Sequence, residues 1–312
     1  MAQHENSLPF YQRFFLYQKE RFPLLGHGVM ITCFTFSAVS YSRICRHEPG
    51  FIALSDFFIG IFATITLFLL VRIFDEFKDK DDDKRYRSYL PVPRGLISLQ
   101  ELKIVGGIVA AAQIIVIAVL QPQMLILYSV VLMYLLLMGV EFFIPHWLRR
   151  HQIAYITSHM MIIPLIDVYS SGLDWLLGGA SLHTGVLWFF AVSYCNGIVL
   201  EFGRKIRTPE TEEEGVISYT GLYGTQGGVY IWIGLLTATM ALTVGAAHYA
   251  GYGLPALIVL LVCYALCLFP GVSFLSAPTP KKSKLIEYAS IGWTILMYLA
   301  LGGIPMITSL FS

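Results

Sequence analysis

Two short acidic clusters, each mixed with basic residues, contain the side chains of this sequence that are best suited to chemistry. The first spans residues 75–83 and the second spans residues 201–214. Mg²⁺ binds oxygen ligands and is often held by one or two carboxylates together with the phosphate groups of a substrate. Phosphate oxygens that the metal leaves free pair well with Arg and Lys. The two clusters therefore predict sites for a magnesium-bound diphosphate.

Asp75 and Asp79 are the strongest candidates in the first cluster. If the preceding apolar helix continues one turn past Phe74, these two aspartates lie four residues apart on one face and can reach the same Mg²⁺. A pair of this spacing also fits a solvated acidic loop. Arg72 favours the metal site, because an unpaired charge on the apolar side of the boundary costs about 2.5–3.5 kcal/mol. It needs a partner, and Asp75, Glu76 or a bound diphosphate would serve.

The second cluster begins at Glu201, where another apolar helix ends. The residue four positions later is Lys205 rather than a second acid, and a Lys neutralises phosphate as a point charge. We predict Glu201 as a further metal ligand, with Arg204 and Lys205 beside the diphosphate. The acidic run 210–214 is interpreted as a solvated face, from which Glu213 or Glu214 could fold back towards the site.

The composition places both clusters in a membrane protein. Of the 312 residues, 56% are hydrophobic and 13% are charged, and the mean hydropathy is +0.67, which is more apolar surface than a soluble domain buries. Stretches of about 17–25 apolar residues can cross the bilayer as helices. We predict an all-α protein with a single domain over residues 1–312. Its nine spans are 24–42, 51–74, 104–120, 124–142, 153–170, 184–200, 226–249, 254–275 and 285–311.

The basic residues predict the orientation of these spans. Eighteen of the 21 Lys and Arg residues fall on one side, against Arg43 and Arg46 on the other. By the positive-inside rule the N-terminus and both clusters face the cytoplasm. We therefore predict a multi-pass protein of the bacterial inner membrane. A cleavable signal is not expected, because residues 1–21 lack a basic region followed by an apolar core and a cleavage site of small residues. The five scattered cysteines support neither a zinc site nor disulfides, and no nucleic-acid partner is expected.

The segment 73–98 resembles a known motif. It is similar to the first aspartate-rich motif, NxxxDxxxD, of the UbiA superfamily of intramembrane prenyltransferases, which is followed by a basic stretch and a Pro-rich segment. The match places Asp75 and Asp79 on the motif aspartates and Arg85 and Arg87 in the basic stretch. The segment 145–151, with Arg149 and Arg150, is similar to the family's loop with a Pro and a basic pair. The segment 201–224 is similar to the second motif with its trailing glycines.

Three departures from the family pattern indicate a divergent member. Val71 stands where the first motif has Asn, Lys205 stands where the second motif has an acid, and Asn196 precedes Glu201 by five residues instead of four. The diphosphate-binding logic is unaffected, because carboxylates and cations remain in both motifs.

The resemblance implies a bundle of about nine helices with a central apolar chamber open to the cytoplasmic face. It also implies a Mg²⁺-dependent enzyme that ionises a prenyl diphosphate and transfers the prenyl group to an aromatic or other lipophilic acceptor. A terpene cyclase of the same superfamily is the alternative, and a non-catalytic lipid-binding or transport protein is a third hypothesis. The expected catalytic residues and metal ligands are Asp75, Asp79 and Glu201. The expected diphosphate-binding residues are Arg72, Lys78, Arg85, Arg87, Arg149, Arg150, Arg204 and Lys205.

Overall fold

The computed structural model of this chain describes residues 8–311, except for the side chain of Pro255. Over that part of the chain, nine helical segments are long and apolar enough to cross a membrane, by length and composition, which confirms the number predicted from hydropathy. The helices are α1 Phe10–Arg21, α2 Leu24–Cys45, α3 Leu54–Lys78, α4 Lys80–Tyr86, α5 Leu99–Leu120, α6 Leu125–Gly139, α7 Pro145–Arg150, α8 Gln152–Met160, α9 Ile162–Trp175, α10 Val186–Arg204, α11 Tyr219–Tyr249, α12 Leu254–Ser276, α13 Pro280–Tyr298 and α14 Ile304–Phe311.

Several helices extend beyond the apolar stretches that predict them, because their ends are stabilised by polar residues. α5 begins at Leu99 instead of 104, where Ser98 and Glu101 form a capping box of a kind that contributes about 1 kcal/mol. α11 begins at Tyr219 instead of 226 and is kinked at Gly224, whose φ of 76° is a conformation that glycine adopts without strain. Hydropathy detects only the straight apolar part of such a helix.

The chain divides into two compact units. Unit 1 comprises the residues up to Thr32 together with Leu54–His151, and unit 2 comprises Cys33–Ala53 and the residues from Gln152 onward. The first acidic cluster belongs to unit 1 and the second belongs to unit 2.

A buried polar contact fastens the spanning helices of unit 1. Gln113 on α5 donates to Ala63 O at 3.0 Å and to Thr66 Oγ1 at 2.7 Å, both on α3. It also accepts from Tyr128 Oη on α6 at 2.9 Å. Gln113 is fully buried, so these bonds satisfy an amide that would otherwise be costly in hydrocarbon. They hold α3, which carries the first cluster, against α5 and α6.

The short helix α1 packs on the same unit. Tyr17 is fully buried in a cluster with Ile73, Ile97 and Leu102, while Phe10, Tyr11 and Phe15 on α1 remain exposed. This distribution of apolar residues is typical of a helix that lies at a membrane interface. α1 therefore lies beside the end of α3 that bears the aspartates.

In unit 2, α10 packs against α11 and α13. Trp232 on α11 donates its indole N–H to Ser290 Oγ on α13 at 2.9 Å, and Gly203 on α10 lies so close to Ser290 that a Cβ there would clash with it. This packing fixes the end of α10, where Glu201 lies.

Candidate functional site

Three aspartates follow one another at intervals of one helical turn. α3 continues past Phe74 to Lys78, which meets the condition under which the sequence places Asp75 and Asp79 on one face. The Asp79 N–H donates to Asp75 O at 2.9 Å, and the Asp83 N–H donates to Asp79 O at 2.8 Å. Asp79 lies at the break between α3 and α4, with φ −91° and ψ 5°. Asp75 and Asp79 are thus brought onto one face, with Asp83 one turn further on.

Asp75 binds two of the predicted cations. Its Oδ1 lies 3.2 Å from Lys78 Nζ and its Oδ2 lies 3.7 Å from Arg72 Nη1. The Asp75 side chain keeps 29% of its surface exposed, whereas Lys78 keeps only 10%. A ligand can therefore still reach this carboxylate.

Asp79 differs from Asp75 in having no donor. Within residues 8–311 no side chain forms a hydrogen bond or ion pair with its half-buried carboxylate, and it does not cap α4. Burial raises the pKa of Asp79 above its ordinary value, and the Asp75 charge adds to the rise, while Lys78 opposes it. A cation placed here would offset the cost of burying this charge.

Arg72 forms an ion pair with Glu76, which is one of the partners that the sequence predicts for it. Its Nη2 and Nε lie 2.8 Å and 3.2 Å from Glu76 Oε1. Arg21 on α1 donates to the same oxygen at 2.7 Å, and Glu76 is only 1% exposed. Sequence reasoning used Arg21 for the membrane orientation alone, since no motif links it to α3.

Asp83 is a second residue to which sequence reasoning gave no role. It is 1% exposed and forms an ion pair with Arg87. Burial raises its pKa, and Arg87 partly counteracts that rise. Asp83 follows Asp79 by four residues, and this helical spacing is the feature of the sequence that could have identified it. Arg87 is thereby held directly after the last residue of α4, within the predicted basic stretch.

The other predicted cations of unit 1 are exposed. Arg149 on α7 lies 4.0 Å from Asp82, so the loop with the basic pair reaches α4. Arg85 lies over the ring of Tyr86. Among the described residues neither Arg85 nor Arg150 has a carboxylate partner, and both remain able to bind an anion.

The turn before α7 is strained. Glu141, Phe142 and Phe143 have φ values of 48°, 53° and 62°, a left-handed conformation that costs non-glycine residues about 1–3 kcal/mol each. It directs the chain from α6 into α7, and so it positions Arg149 and Arg150.

In the second cluster, Glu201 is bound by both predicted cations. Its Oε1 lies 2.7 Å from Lys205 Nζ, and its Oε2 forms an ion pair with Arg204. Glu201 is 8% exposed, whereas the Arg204 side chain is 62% exposed. A metal at Glu201 would have to displace one of these cations. Its assignment as a metal ligand stays a prediction.

The loop that follows α10 is stabilised by hydrogen bonds to two of its own carboxylates. Glu212 accepts from Ser218 Oγ at 2.6 Å and from Thr220 Oγ1 at 3.0 Å. Glu213 lies 2.9 Å from Arg207 Nη1. The acidic run is therefore part of the loop's structure, and Glu213 folds back onto Arg207.

The carboxylates of the first cluster fit a magnesium ion only in part. No group of three His, Cys, Asp or Glu side chains within the described residues could hold a metal ion. Asp75 and Asp79 supply two oxygen donors on adjacent turns, which suffices when substrate phosphates and water complete the shell. The cluster thus fits a metal that arrives with its diphosphate, and not a permanently caged ion.

The sequence matches a family model over residues 29–290, that of the UbiA prenyltransferase family. The chain belongs to the UbiA prenyltransferase family. No curated protein matches it significantly. A solved structure of digeranylgeranylglyceryl phosphate synthase in membranes is similar to it, with a TM-score of 0.61 and 15% identity, over 94% of this chain and 99% of the other. That likeness shows a shared fold.

Membership of the UbiA family supports prenyltransferase activity in a membrane in general, and it is consistent with the resemblance seen in segment 73–98. Enzymes of this family generally use a divalent metal to bind diphosphate. The row of aspartates and the basic residues around it are the elements of this chain that match that use.

Proposed function

We propose that this UbiA protein ionises a prenyl diphosphate with Mg²⁺ and transfers the prenyl group to an aromatic or other lipophilic acceptor. The observation that supports this most is the pair Asp75 and Asp79, in which one carboxylate is partly neutralised by Lys78 and Arg72 and the other has no described partner. A half-buried carboxylate without a donor suits a cation that comes with the substrate.

Different residues of unit 1 bind the metal and the diphosphate in this proposal. Asp75 and Asp79 would hold the metal, and a bound metal would supply positive charge that stabilises the diphosphate leaving group when the allylic C–O bond breaks. Arg72 and Lys78 lie next to Asp75 and stabilise the same leaving group from the protein side. Arg85, Arg87, Arg149 and Arg150 bind the outer diphosphate oxygens. The isoprenoid chain lies in the apolar, membrane-embedded part, where water cannot quench the cation.

In unit 2, Lys205 and Arg204 offer a second group of cations for diphosphate. Glu201 holds Lys205 at 2.7 Å, and the Lys205 ammonium also lies 5.9 Å from the centre of the Tyr219 ring. Tyr219 in turn stacks on Phe202 at 3.7 Å. We assign Glu201 the role of positioning Lys205, and a role as metal ligand is the alternative.

The proposal includes the membrane orientation. The N-terminus and both clusters face the cytoplasm, where prenyl diphosphates are soluble enough to be delivered, and the protein resides in a bacterial inner membrane. This orientation rests on the distribution of Lys and Arg.

One experiment separates this function from its rivals. Purified protein is incubated with Mg²⁺ and geranyl, farnesyl or geranylgeranyl diphosphate, first without and then with aromatic acceptors or membrane extract. Diphosphate release is followed, and organic products are identified by mass spectrometry. Release that requires an acceptor and yields a prenylated acceptor supports the transferase. A cyclic terpene formed without acceptor would replace it with the cyclase. No release in either case, with the protein folded, would favour a non-catalytic role.

A further inference from the structure

A polar cavity in unit 2 lies apart from both acidic clusters. It has a volume of about 400 Å³, within the range of about 300–1,000 Å³ that is typical of small-molecule sites. It is lined by residues 45–47, where α2 ends, and by residues 180–184, which connect α9 to α10. Neither segment contains Asp or Glu.

Arg46 is the cation of this cavity and has unused hydrogen-bond donors. Its side chain is only 13% exposed, and its Nη1 lies 3.0 Å from Asp174 Oδ1. Its Nη2 donates to Glu48 Oε1 at 3.4 Å. These contacts use at most two of the five N–H groups of a guanidinium. The Glu48 side chain is 45% exposed and the bond to it is long, so an anion in the cavity can take its place.

The buried carboxylate beside Arg46 is shared with a second arginine. Asp174 is 2% exposed, and its Oδ1 also accepts from Arg43 Nη1 at 3.0 Å. Arg43 donates its other N–H groups to Pro49 O at 2.6 Å and to Gly50 O at 2.7 Å. One buried carboxylate thus faces two guanidinium groups, and of these two only Arg46 lines the cavity.

The other polar groups of the lining are donors as well. His183 Nδ1 accepts from the Gly185 N–H at 3.2 Å, so the neutral ring carries its proton on Nε2. The backbone N–H groups of residues 181–184 have no acceptor among the described residues. Ser181 and Thr184 add exposed hydroxyl groups. A cavity with many N–H and O–H donors, a guanidinium and no carboxylate in its lining is suited to phosphate oxygens.

The cavity lies at the opposite end of α10 from the second cluster. α10 begins at Val186, directly after the cavity, and Glu201 lies 15 residues further along, which corresponds to about 22 Å along a helix. The Tyr249 ring lies 6.1 Å from the His183 ring and is 46% exposed, and Trp188 in the first turn of α10 is 38% exposed. Exposed Trp and Tyr residues are typical of the level of lipid headgroups. This position favours a lipid phosphate over a soluble anion.

We propose that this cavity binds the phosphate group of an anionic phospholipid, with Arg46 as the cation that holds it. The acyl chains lie along the apolar surface beside the cavity, where Leu187 is 55% exposed. The binding is independent of the proposed function, because the cavity contains none of the residues assigned to the metal or to the diphosphate.

The test compares the two arginines that share Asp174. Native mass spectrometry of the full-length protein in detergent measures its affinity for dioleoyl phosphatidylglycerol and for dioleoyl phosphatidylcholine, whose headgroup carries no net charge. The wild-type protein should bind one phosphatidylglycerol about tenfold more tightly than phosphatidylcholine, because charge-assisted hydrogen bonds hold its phosphate. Arg46→Gln should abolish this preference.

Arg43→Gln is the matched control. It removes the same charge and the same kind of contact with Asp174, but Arg43 does not line the cavity, so the preference should persist. Neither substitution changes the cations of the two clusters, and any lipid bound there contributes equally to both variants. A wild-type protein without the preference would overturn the proposal. A preference that persists in Arg46→Gln, or that is lost equally in both variants, would overturn it as well.

A second pair of variants is measured if either arginine variant does not fold. Thr184 is exposed, and Thr184→Glu places a carboxylate in the cavity that should lower the affinity for phosphatidylglycerol at least about tenfold. Thr184→Gln is its uncharged control and should keep the affinity. An unchanged affinity in Thr184→Glu rejects the site. Inorganic phosphate at the same concentration should not displace phosphatidylglycerol, since it has no acyl chains; displacement would assign the cavity to a soluble anion and overturn the lipid proposal.

Discussion

Arg21 and Glu76 are 55 residues apart in sequence and form an ion pair of 2.7 Å. Glu76 is almost completely buried and also accepts from Arg72. Arg72 in turn contacts Asp75. The N-terminal helix α1 is thereby connected, through two charges, to the first predicted metal ligand, and so it is part of the support of the site.

Arg21→Gln should weaken substrate binding without changing any residue that touches the substrate. Glu76 would lose one of its two cationic partners and would draw Arg72 away from Asp75. We expect a rise of about tenfold in KM for the prenyl diphosphate, with a smaller change in kcat, and a loss of about 1–3 kcal/mol in stability. Steady-state kinetics and thermal unfolding measure the two effects.

Two further variants serve as controls for Arg21. Arg21→Lys keeps the charge and should recover most of the affinity. Arg94→Gln removes an ion pair with Glu20, whose side chain is 41% exposed, and such a surface pair contributes at most about 1 kcal/mol. A KM in Arg21→Gln equal to that of the wild type would show that α1 does not position Arg72.

Asp75→Asn and Asp79→Asn should each lower Mg²⁺-dependent diphosphate release by at least about 100-fold, because each removes a charged ligand from the transition state. Asp81→Asn is the matched control, since Asp81 is exposed and lies off the row formed by Asp75, Asp79 and Asp83. Turnover that survives in either of the first two variants would remove that residue from the metal site.

The raised pKa of Asp79 predicts how stability depends on pH. Burial favours the protonated carboxyl, so the folded state binds this proton more tightly than the unfolded state does, whose value lies near 3.8. The resulting contribution to stability is complete below the unfolded value and is lost as the pH rises through the folded pKa. Metal-free protein should therefore lose this contribution between acidic and neutral pH.

Thermal unfolding across that pH range checks the prediction. Asp79→Asn should show a flatter profile than the wild type, and Mg²⁺ with inorganic diphosphate should stabilise the wild type more at neutral than at acidic pH. Asp83→Asn is a necessary comparison, because burial raises the pKa of Asp83 as well. Identical pH profiles for the wild type and Asp79→Asn would contradict this account.

The pair Glu201 and Lys205 allows the two roles of Glu201 to be separated. If Glu201 positions Lys205, then Glu201→Gln and Lys205→Met should each raise KM for the prenyl diphosphate, and the double variant should be no worse than the poorer single variant. The Mg²⁺ concentration needed for half-maximal activity should not change. A large increase in that concentration in Glu201→Gln alone would identify Glu201 as a metal ligand.

The orientation can be tested by fusing green fluorescent protein to either end of the chain in a bacterial host. With nine spans and a cytoplasmic N-terminus, the N-terminal fusion should fluoresce in the cytoplasm and the C-terminal fusion should be exported unfolded and dark. The opposite pattern would reverse the assignment made from Lys and Arg.

Much of the fold could be predicted from the sequence, because each bilayer-spanning helix requires a continuous stretch of about twenty apolar residues. The continuation of α3 past Phe74 could only be stated as a condition from the sequence, because the spacing of Asp75 and Asp79 fits a helical face and a solvated loop alike. The bounds of α5 and α11 depend on the cap at Ser98 and the kink at Gly224, which a hydropathy window does not register.

The sequence by itself determined which residue types gather in each cluster and that Arg72 needs a partner. Only the tertiary structure decided that the partner is Glu76 and that Arg21 from another helix shares it. The physical reason is that composition and helical spacing report only on residues that are close together in the sequence. Pairing and burial depend on which helices pack together, and that is set by contacts between residues far apart in the chain.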